Sequence, residues 1–307
     1  MAAPILPSAK LTAADERPHP AGDDAAWSEF WHLEFFSFPG PLGGFVRLTL
    51  QPHQRTAWWW AYVAGPGRPL ISVRDDEVPL PRRGLEVRTE GLWGELVCET
   101  PLEHWSVGME AFGVALDDPL DASRGEWGER VAVGMDLEWE EAGPPFVLPG
   151  RPSGYGQSCE VHGEVLVGPS RLALGGWGAR SHCWGPATGT AEGRWTVAGR
   201  LDEGSFFHAG ATGSEPGGNR PTGVGMVQGP DGRRTGTAPA AASIEMGPDG
   251  LLGAATLEIG SLQLRARPLA HAVVPLKGPE PGPGELVRSL CAFSTETGDG
   301  LGWWEQA

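Results

Sequence analysis

The chain has 307 residues and a formal net charge of −16, and its 14 Trp and 10 Phe residues are spread along the whole length. An acidic surface repels phosphate groups, which argues against a nucleic-acid partner and against docking on anionic membranes. The sequence contains neither an apolar run long enough to cross a membrane nor a basic segment followed by an apolar one. We therefore expect a cytoplasmic protein without a membrane partner, whose four well-separated cysteines are reduced thiols.

The length predicts two domains, at about 150 residues for each, or one large β domain. Residues 1–24 are polar and contain several prolines, so we expect a flexible N-terminal segment. The Pro-rich stretch Gly143–Ser153 lies near the middle of the chain and is the best candidate for a boundary. This predicts an N-terminal domain of residues 25–150 and a C-terminal domain of residues 151–307.

Aromatic residues are dense at the start of the first domain, between Trp27 and Phe38. Trp27, Phe30 and Trp31 have the spacing of one helical face, so this stretch could begin as a helical turn. The clearest strand is Arg130–Glu140, where large apolar side chains alternate with charged or small residues. Weaker alternation predicts strands at Phe45–Leu50, Trp58–Val63, Leu70–Val73, Leu85–Thr89, Glu95–Glu99 and Trp105–Leu116.

The second half has the same character, with short apolar runs separated by turns rich in Gly, Pro and Asp. Short strands without long helices predict an all-β fold, built as antiparallel barrels or sandwiches. A barrel of about eight strands can hold one small ligand. The strands predicted here are Ser158–Val167, Arg171–Cys183, Gly193–Leu201, Ser205–Ala211, Gly223–Gln228, Ala242–Met246 and Ala254–Arg265, with a last short element at Glu285–Phe293.

One segment, Tyr155–Gly185, ends in the residues G-W-G-A-R-S-H-C-W-G. On an extended strand Arg180, His182 and Trp184 share one face, and Ser181 and Cys183 share the other. A histidine titrates near neutral pH and suits acid–base work, while the face of a Trp ring stabilises a cation. The opposite interpretation is that the arginine and histidine tie loops together and the Trp residues are core.

These residues resemble the G-x-G-x-R-D-H-S-W-G motif of the hydroxyneurosporene synthase-like, lipocalin-like superfamily, which includes carotenoid 1,2-hydratases, AttH-type proteins and fungal Diels–Alderases. The stretches Leu85–Pro119 and Gly128–Glu140 and the C-terminal GDGLGWWE are similar to its actinobacterial branch. The resemblance implies two lipocalin-like antiparallel β domains packed together, with the motif near a shared ligand cavity. Ser181 stands where the motif has Asp, and Cys183 where it has Ser. If that Asp is the proton donor of the hydratases, its role is lost or moved here.

The resemblance and the residues together predict a cofactor-free enzyme that acts on an apolar terpenoid or polyene by hydration, isomerisation or cyclisation. The alternative is a non-catalytic carrier of an apolar metabolite, and a carbohydrate-active protein is the weakest of the three hypotheses. His182 with Arg180 is one candidate acid–base pair. The other is the alternating row Glu160, His162 and Glu164, which forms a relay if it faces a barrel interior and a solvated face if it does not. The candidate ligand-binding residues are Trp58, Trp60, Trp93, His104, Trp105, Trp177 and Trp184.

No metal site is predicted. Cys159 with His162, and His182 with Cys183, have zinc-binding chemistry, but each pair points to opposite faces of a strand. The row Asp136, Glu138 and Glu140 could signal glycoside hydrolysis, although the regular alternation of its strand favours a solvated face.

Overall fold

A computed structural model of the chain describes residues 11–38, 40–125, 128–148, 153–186, 194–211, 222–276 and 284–307. The fold is almost entirely antiparallel β-structure, in two hydrogen-bonded bodies. In the described part of the chain, no helix is long and apolar enough to cross a membrane.

The first body is an eleven-stranded sheet in the order β4-β3-β2-β1-β11-β10-β8-β7-β6-β5, with β9 paired to β10. Residues Leu70–Ser72 of β4 also pair with β7, so eight of the strands form a ring, which we call the first barrel. Its elements are β1 (Trp27–Ser37), β2 (Leu42–Gln51), β3 (Thr56–Ala64), β4 (Leu70–Pro79), β5 (Leu85–Thr89), β6 (Leu92–Thr100), β7 (His104–Leu116), the one-turn helix α1 (Asp121–Arg124), β8 (Glu129–Glu141), β9 (Phe146–Val147), β10 (Gly154–Val167) and β11 (Ser170–Pro186).

The second body is a closed barrel of eight strands in sequence order, which we call the second barrel. Each strand pairs with its neighbours in the chain, and β19 returns to pair with β12. The strands are β12 (Trp195–Leu201), β13 (Phe206–Ala211), β14 (Thr222–Gln228), β15 (Arg234–Met246), β16 (Leu252–Ile259), β17 (Leu262–Pro275), β18 (Glu285–Ser294) and β19 (Asp299–Gln306).

The chain changes from one body to the other between Pro186 and Trp195, which differs from the expected boundary at residues 150/151. Strands β10 and β11 follow the Pro-rich stretch, yet β11 pairs with β1 and β10 pairs with β8. Because these two strands complete the first barrel, the Pro-rich stretch is a connection within that barrel. Its composition could not distinguish such a connection from a linker between domains.

Strand β1 is extended from its first residue, so the helical turn considered for Trp27–Trp31 is wrong. It lies between β2 and β11, and nearly all of its residues are buried. Trp31, Leu33 and Phe35 enter the core of the first barrel, whereas Phe36 belongs to an apolar cluster shared with the second barrel. Because β1 is buried on both faces, large apolar residues occupy both faces, and no alternation with polar residues reveals the period of two.

The two barrels are held together by that shared apolar cluster. Residues such as Phe45, Trp60 and Tyr62 of the first barrel pack with Val273, Leu290 and Trp303 of the second. The outer faces of β1 and β2 therefore form a wall against the second barrel, and this wall positions the cavity described below.

Residues 11–26, which we call the N-terminal strap, pack against the first barrel. Thr12 caps a short 3₁₀ turn at Ala13–Glu16 through a reciprocal hydrogen bond with Asp15, and Glu16 is only 2% exposed. The segment of residues 1–24, which was expected to be flexible, thus packs against the first barrel from residue 11 onward, where the buried side chain of Glu16 anchors it. Residues 1–10 lie outside the described residues.

Candidate functional site

A cavity lies between the two barrels, and we call it the interdomain cavity. Its volume is about 80 Å³, counted as space open to the centre of a water molecule, which is room for several waters or a small chemical group. Its lining combines apolar residues with ionisable groups. The apolar lining includes Phe30, Phe146, Leu148, Ala179, Ala198 and Trp303, and the ionisable groups include His32, Glu34, Arg47, Arg194, His208, Arg288 and Glu305.

Alternation along β11 determines which motif residues reach this cavity. Ala179, Ser181 and Cys183 line it, so both positions that depart from the motif face the interdomain cavity. Arg180 also contributes to the wall, but its guanidinium group lies on the opposite side, where it contacts Glu16 inside the first barrel. The side chains of one short motif therefore contribute to two separate sites, the interdomain cavity and the interior of the first barrel.

Glu34 has the most unusual environment of the cavity-lining groups. Arg288 donates a hydrogen bond from Nη2 to Glu34 Oε2, whereas Glu34 Oε1 is buried without a hydrogen-bond partner among the described residues. Burial raises the pKa of Glu34 above its ordinary value, despite the opposing effect of the Arg288 guanidinium. A protonated Glu34 can accept from Arg288 through Oε2 and still present its proton on Oε1.

Glu305 is the second carboxyl group of the cavity, and its behaviour is the opposite. Arg194 Nη2 donates to Glu305 Oε1 over 3.2 Å, and Arg288 Nε lies 3.4 Å from Glu305 Oε2. Burial alone would raise the pKa of Glu305, but the two arginines overcome it and lower that pKa to about 2. Two carboxyl groups with pKa values moved in opposite directions mark a candidate acid–base site.

Two histidines in the cavity are held in the neutral form. Arg288 Nη1 donates to His32 Nε2, which places the His32 proton on Nδ1, a buried atom without a hydrogen-bond partner among the described residues. Burial and the nearby Arg288 hold the pKa of His32 well below its ordinary value. Burial also lowers the pKa of His208 to about 4, although the charges of Glu34 and Glu305 oppose the shift.

On the other side of β11, Arg180 holds the N-terminal strap. Its Nη1 atom donates to Glu16 Oε1 over 3.0 Å, and Tyr155 and Trp105 also donate to the Glu16 carboxylate. Arg180 Nη2 donates to the side-chain oxygen of Gln157. The guanidinium group therefore connects the strap, through Glu16, to Tyr155 and Gln157 of β10.

His182 belongs to the same side and contacts both the strap and β1. Its Nδ1 atom lies 2.9 Å from the backbone oxygen of Asp15, and its Nε2 atom lies 2.7 Å from Glu29 Oε1. His19 of the strap places its own Nδ1 2.8 Å from the same carboxylate oxygen. Burial lowers the pKa of His182 to about 4 and raises that of Glu29.

The row Glu160, His162 and Glu164 lies on the outer face of the first barrel. Glu160 and His162 are exposed and Glu164 is partly exposed, which corresponds to the solvated-face alternative rather than to an interior relay. His162 and His104 both contact Glu138, at 3.4 and 3.0 Å. These residues form a surface cluster on β7, β8 and β10, and none of them lines the interdomain cavity.

The predicted ligand-binding Trp residues are distributed over several environments, and none of the six lines the interdomain cavity. Trp58, Trp60 and Trp177 pack in the apolar cluster between the barrels, and Arg200 lies 3.2 Å from the ring centre of Trp177. Trp105 is in the core of the first barrel, Trp93 is partly buried on β6, and Trp184 stacks on His19.

Sequence reasoning missed most of the cavity's ionisable groups, although a signal for them exists. Glu34 lies between apolar residues in H-L-E-F-F, Arg288 in L-V-R-S-L, and Glu305 directly after two Trp residues. A charged residue inside an apolar run is buried with its neighbours and requires a partner. The signal identifies the residues singly, but not the partner, since Glu34 and Arg288 are 254 positions apart.

The family model for a domain of unknown function, DUF7064, matches residues 12–307. Three solved structures share the fold. An AttH-like protein from Nitrosomonas europaea is 13% identical, with 99% of this chain and 98% of that chain covered and a TM-score of 0.65. CghA with Sch210972 is 12% identical, with 92% and 87% covered and a TM-score of 0.57. Kievitone hydratase from Nectria haematococca is 10% identical, with 96% and 92% covered and a TM-score of 0.52.

These likenesses confirm the predicted all-β, two-domain lipocalin-like architecture over almost the entire chain. A search of curated proteins finds no match.

Proposed function

We propose that this chain, which belongs to the DUF7064 family, is a cofactor-free enzyme that transfers a proton in its interdomain cavity to or from an unsaturated apolar small molecule. The observation that carries the proposal is the Glu34 carboxyl group, which is buried, has a raised pKa and, within the described part of the chain, has no hydrogen-bond partner on Oε1. A protein gains no stability from leaving such an atom unsatisfied, so the atom is available for a ligand.

The surroundings of Glu34 suit a general acid. While protonated, Glu34 donates from Oε1 to a carbon–carbon double bond of the substrate, and its other oxygen keeps the bond from Arg288. Once the proton has left, the carboxylate is stabilised by the same arginine. The rings of Phe30 and Trp303 line the cavity beside the positive charge that forms on the substrate, and Arg47 lies 3.9 Å from the ring centre of Phe30.

The cation then has three outcomes. Capture by water gives hydration, loss of a different proton gives isomerisation, and attack by a second double bond gives cyclisation. The Glu34 carboxylate takes up the released proton, either directly or from His208 after neutral His208 has accepted it, so each cycle restores the starting charges.

Two further observations support this function. One structural relative is named a hydratase, and hydration of a double bond begins or ends with proton transfer to carbon. In addition, Ser181 lines the same cavity as Glu34, and its register partner across the β1–β11 pair is His32. The carboxylate that the resembling motif has at position 181 would therefore face this cavity, and Glu34 offers one from the neighbouring strand.

The substrate class we propose is a terpenoid or polyene whose reacting end enters the cavity. The apolar lining fits a hydrocarbon, and the small volume admits only one end of such a molecule. Arg180 and His182 act in this proposal as positioning residues, because they hold β11 and the strap from the opposite side of the wall.

The experiment compares the wild type with Glu34→Gln, which keeps the shape of the side chain but has no carboxyl proton. Each protein is incubated in heavy water with linear isoprenoids and polyenes, and extracts are analysed by mass spectrometry for a new product or for deuterium. We expect Glu34→Gln to lower turnover by about 100-fold or more. The matched control is Glu164→Gln, on the outer face, which we expect to retain full turnover.

Two results would overturn the proposal. Full turnover by Glu34→Gln would remove Glu34 from the mechanism. Quenching of Trp fluorescence by a compound that the wild type never converts would instead identify a carrier of apolar metabolites.

A further inference from the structure

We propose that His19, Glu29 and His182 form a binding site for one divalent transition-metal ion of the zinc class, which fastens the N-terminal strap to the first barrel. One ligand atom from each of the three residues lies within 4.8 Å of the others. His19 comes from the strap, Glu29 from β1 and His182 from β11. The site is on the opposite side of β11 from the interdomain cavity and does not depend on the function proposed for that cavity.

The donor set is that of a zinc-type site. Two imidazoles and one carboxylate are the protein ligands of many three-ligand zinc sites, and a hard ion such as Mg²⁺ would require oxygen ligands instead. Tetrahedral bonds of about 2.0–2.1 Å place neighbouring ligand atoms about 3.3 Å apart. The two nitrogens lie 2.7 and 2.8 Å from Glu29 Oε1, so side-chain shifts of about 0.5 Å would open the required space.

The outer contacts of His182 have the form expected for a metal ligand. Metal-binding histidines usually donate their second ring nitrogen to a backbone carbonyl or a carboxylate. His182 Nδ1 lies 2.9 Å from the Asp15 carbonyl oxygen, an acceptor that fixes the proton on this nitrogen. Nε2 is then left with a lone pair 2.7 Å from a carboxylate oxygen. Two acceptors at this distance repel each other unless a proton or a metal cation lies between them.

The rings are already oriented and the charges are favourable. His182 stacks on Trp31 with ring centres 4.3 Å apart, and His19 stacks on Trp184 at 3.8 Å. Asp15 is close enough to both histidines to interact with their charges, so a second carboxylate accompanies Glu29 around a doubly charged ion. The side chains of Glu29 and His182 are 0% and 1% exposed, whereas that of His19 is 21% exposed and offers a route of entry.

The surface cluster provides an internal comparison. Glu138, Glu140 and His162 also bring three ligand atoms within 4.8 Å, but their residues are exposed or partly exposed. Exposed acidic groups and histidines bind transition metals weakly without a built site. A variant of this cluster therefore shows whether observed binding is specific to the strap site.

The test uses the full chain after treatment with a chelator, titrated with Co²⁺ and followed by visible absorption, with Zn²⁺ as competitor. The variant is His19→Gln, chosen because His19 lies in the strap outside both barrels, and the control is His162→Gln. We expect one tightly bound Co²⁺ per wild-type chain, displaced by Zn²⁺. Affinity should fall at least about 10-fold in His19→Gln and remain unchanged in His162→Gln. Zn²⁺ should also raise the Tm of the wild type by a few degrees, and that of His19→Gln less.

The proposal is overturned if wild type and His19→Gln bind Co²⁺ equally, or if His162→Gln alone loses binding. A second measurement distinguishes metal binding from the alternative in which a proton lies between His182 Nε2 and Glu29. In NMR of the histidine ring nitrogens, adding Zn²⁺ should shift the His182 Nε2 resonance while Nδ1 stays protonated, and an Nε2 resonance that Zn²⁺ leaves unchanged would mean that a proton, on His182 or on Glu29, occupies the position. Glu34→Gln should bind Co²⁺ like the wild type, which keeps this test separate from that of the proposed enzyme.

Discussion

Substituting Glu16 by Ala should detach the N-terminal strap and destabilise the first barrel. The Glu16 carboxylate accepts hydrogen bonds from Arg180, Tyr155 and Trp105, all of which are at most 4% exposed. Without Glu16 these donors are left in a buried space, and among the described residues the Arg180 guanidinium keeps hydrogen bonds only to two neutral oxygens, those of the Tyr155 hydroxyl and the Gln157 side chain. A buried charge that loses its counter-ion is among the costly changes in a protein interior.

Two quantities limit the loss of stability in Glu16→Ala: the cost of breaking a buried ion pair and the free energy with which the strap docks. Removing one partner of a buried ion pair costs about 3–5 kcal/mol, and each orphaned buried donor adds to this when the protein cannot relax. Here relaxation is possible, because the strap lies outside both sheets and can lift, which lets water reach Arg180. The loss is therefore limited by the free energy of strap docking, and we expect about 3 kcal/mol in the unfolding of the first barrel.

The assay is urea unfolding followed by Trp fluorescence, together with amide hydrogen exchange of residues 12–26. The control is Glu86→Ala, which removes a surface pair with Arg88 at 3.5 Å and should cost less than about 1 kcal/mol. Faster exchange in the strap together with a lowered midpoint would support the anchoring role. The reasoning is refuted if Glu16→Ala unfolds at the same urea concentration as Glu86→Ala and its strap amides exchange at the wild-type rate.

Two other predictions concern stability. The pKa of His208 is lowered to about 4 in the folded protein, so the unfolded chain binds a proton first as the pH falls. Stability should be complete above about pH 6.5 and decrease toward pH 4, by at most about 3 kcal/mol from this group, and His208→Gln should remove that part of the slope in urea titrations. Leu137→Ala and Leu257→Ala each leave a cavity, in the core of the first and of the second barrel respectively. Each should lower the free energy of unfolding by about 2–5 kcal/mol. Calorimetry should show each substitution acting mainly on its own barrel, and equal shifts of a single transition would contradict independent cores.

A strand with one buried face can be predicted from the alternation of apolar and polar residues in the sequence. A strand with two buried faces cannot, because it shows no such alternation. Arg130–Glu140 was recognisable because its apolar residues enter the first barrel while its charged residues remain outside, and β8 covers this range. The start of β1 was misread because its two faces contact two different cores. The position of the domain boundary was concealed for a related reason, since only pairing between distant strands shows that β10 and β11 belong to the first barrel.

The candidate site could be predicted only in part, because its groups come from distant segments. The motif singled out Arg180 and His182, and the alternation of β11 correctly placed them on one face. No local pattern indicates that Glu16 and Glu29 meet them, since these contacts join positions more than 150 residues apart. The same holds for Glu34 and Arg288, whose contact depends on how two complete barrels pack.

The two faces of strand β11 line two different sites, and this limits what the motif can indicate about function. Arg180 and His182 match the motif and contact the strap. The matching residues therefore indicate how the strap is held against the first barrel. Ser181 and Cys183 depart from the motif and line the interdomain cavity. For this reason the function has to be argued from Glu34 and its neighbours rather than from the motif itself.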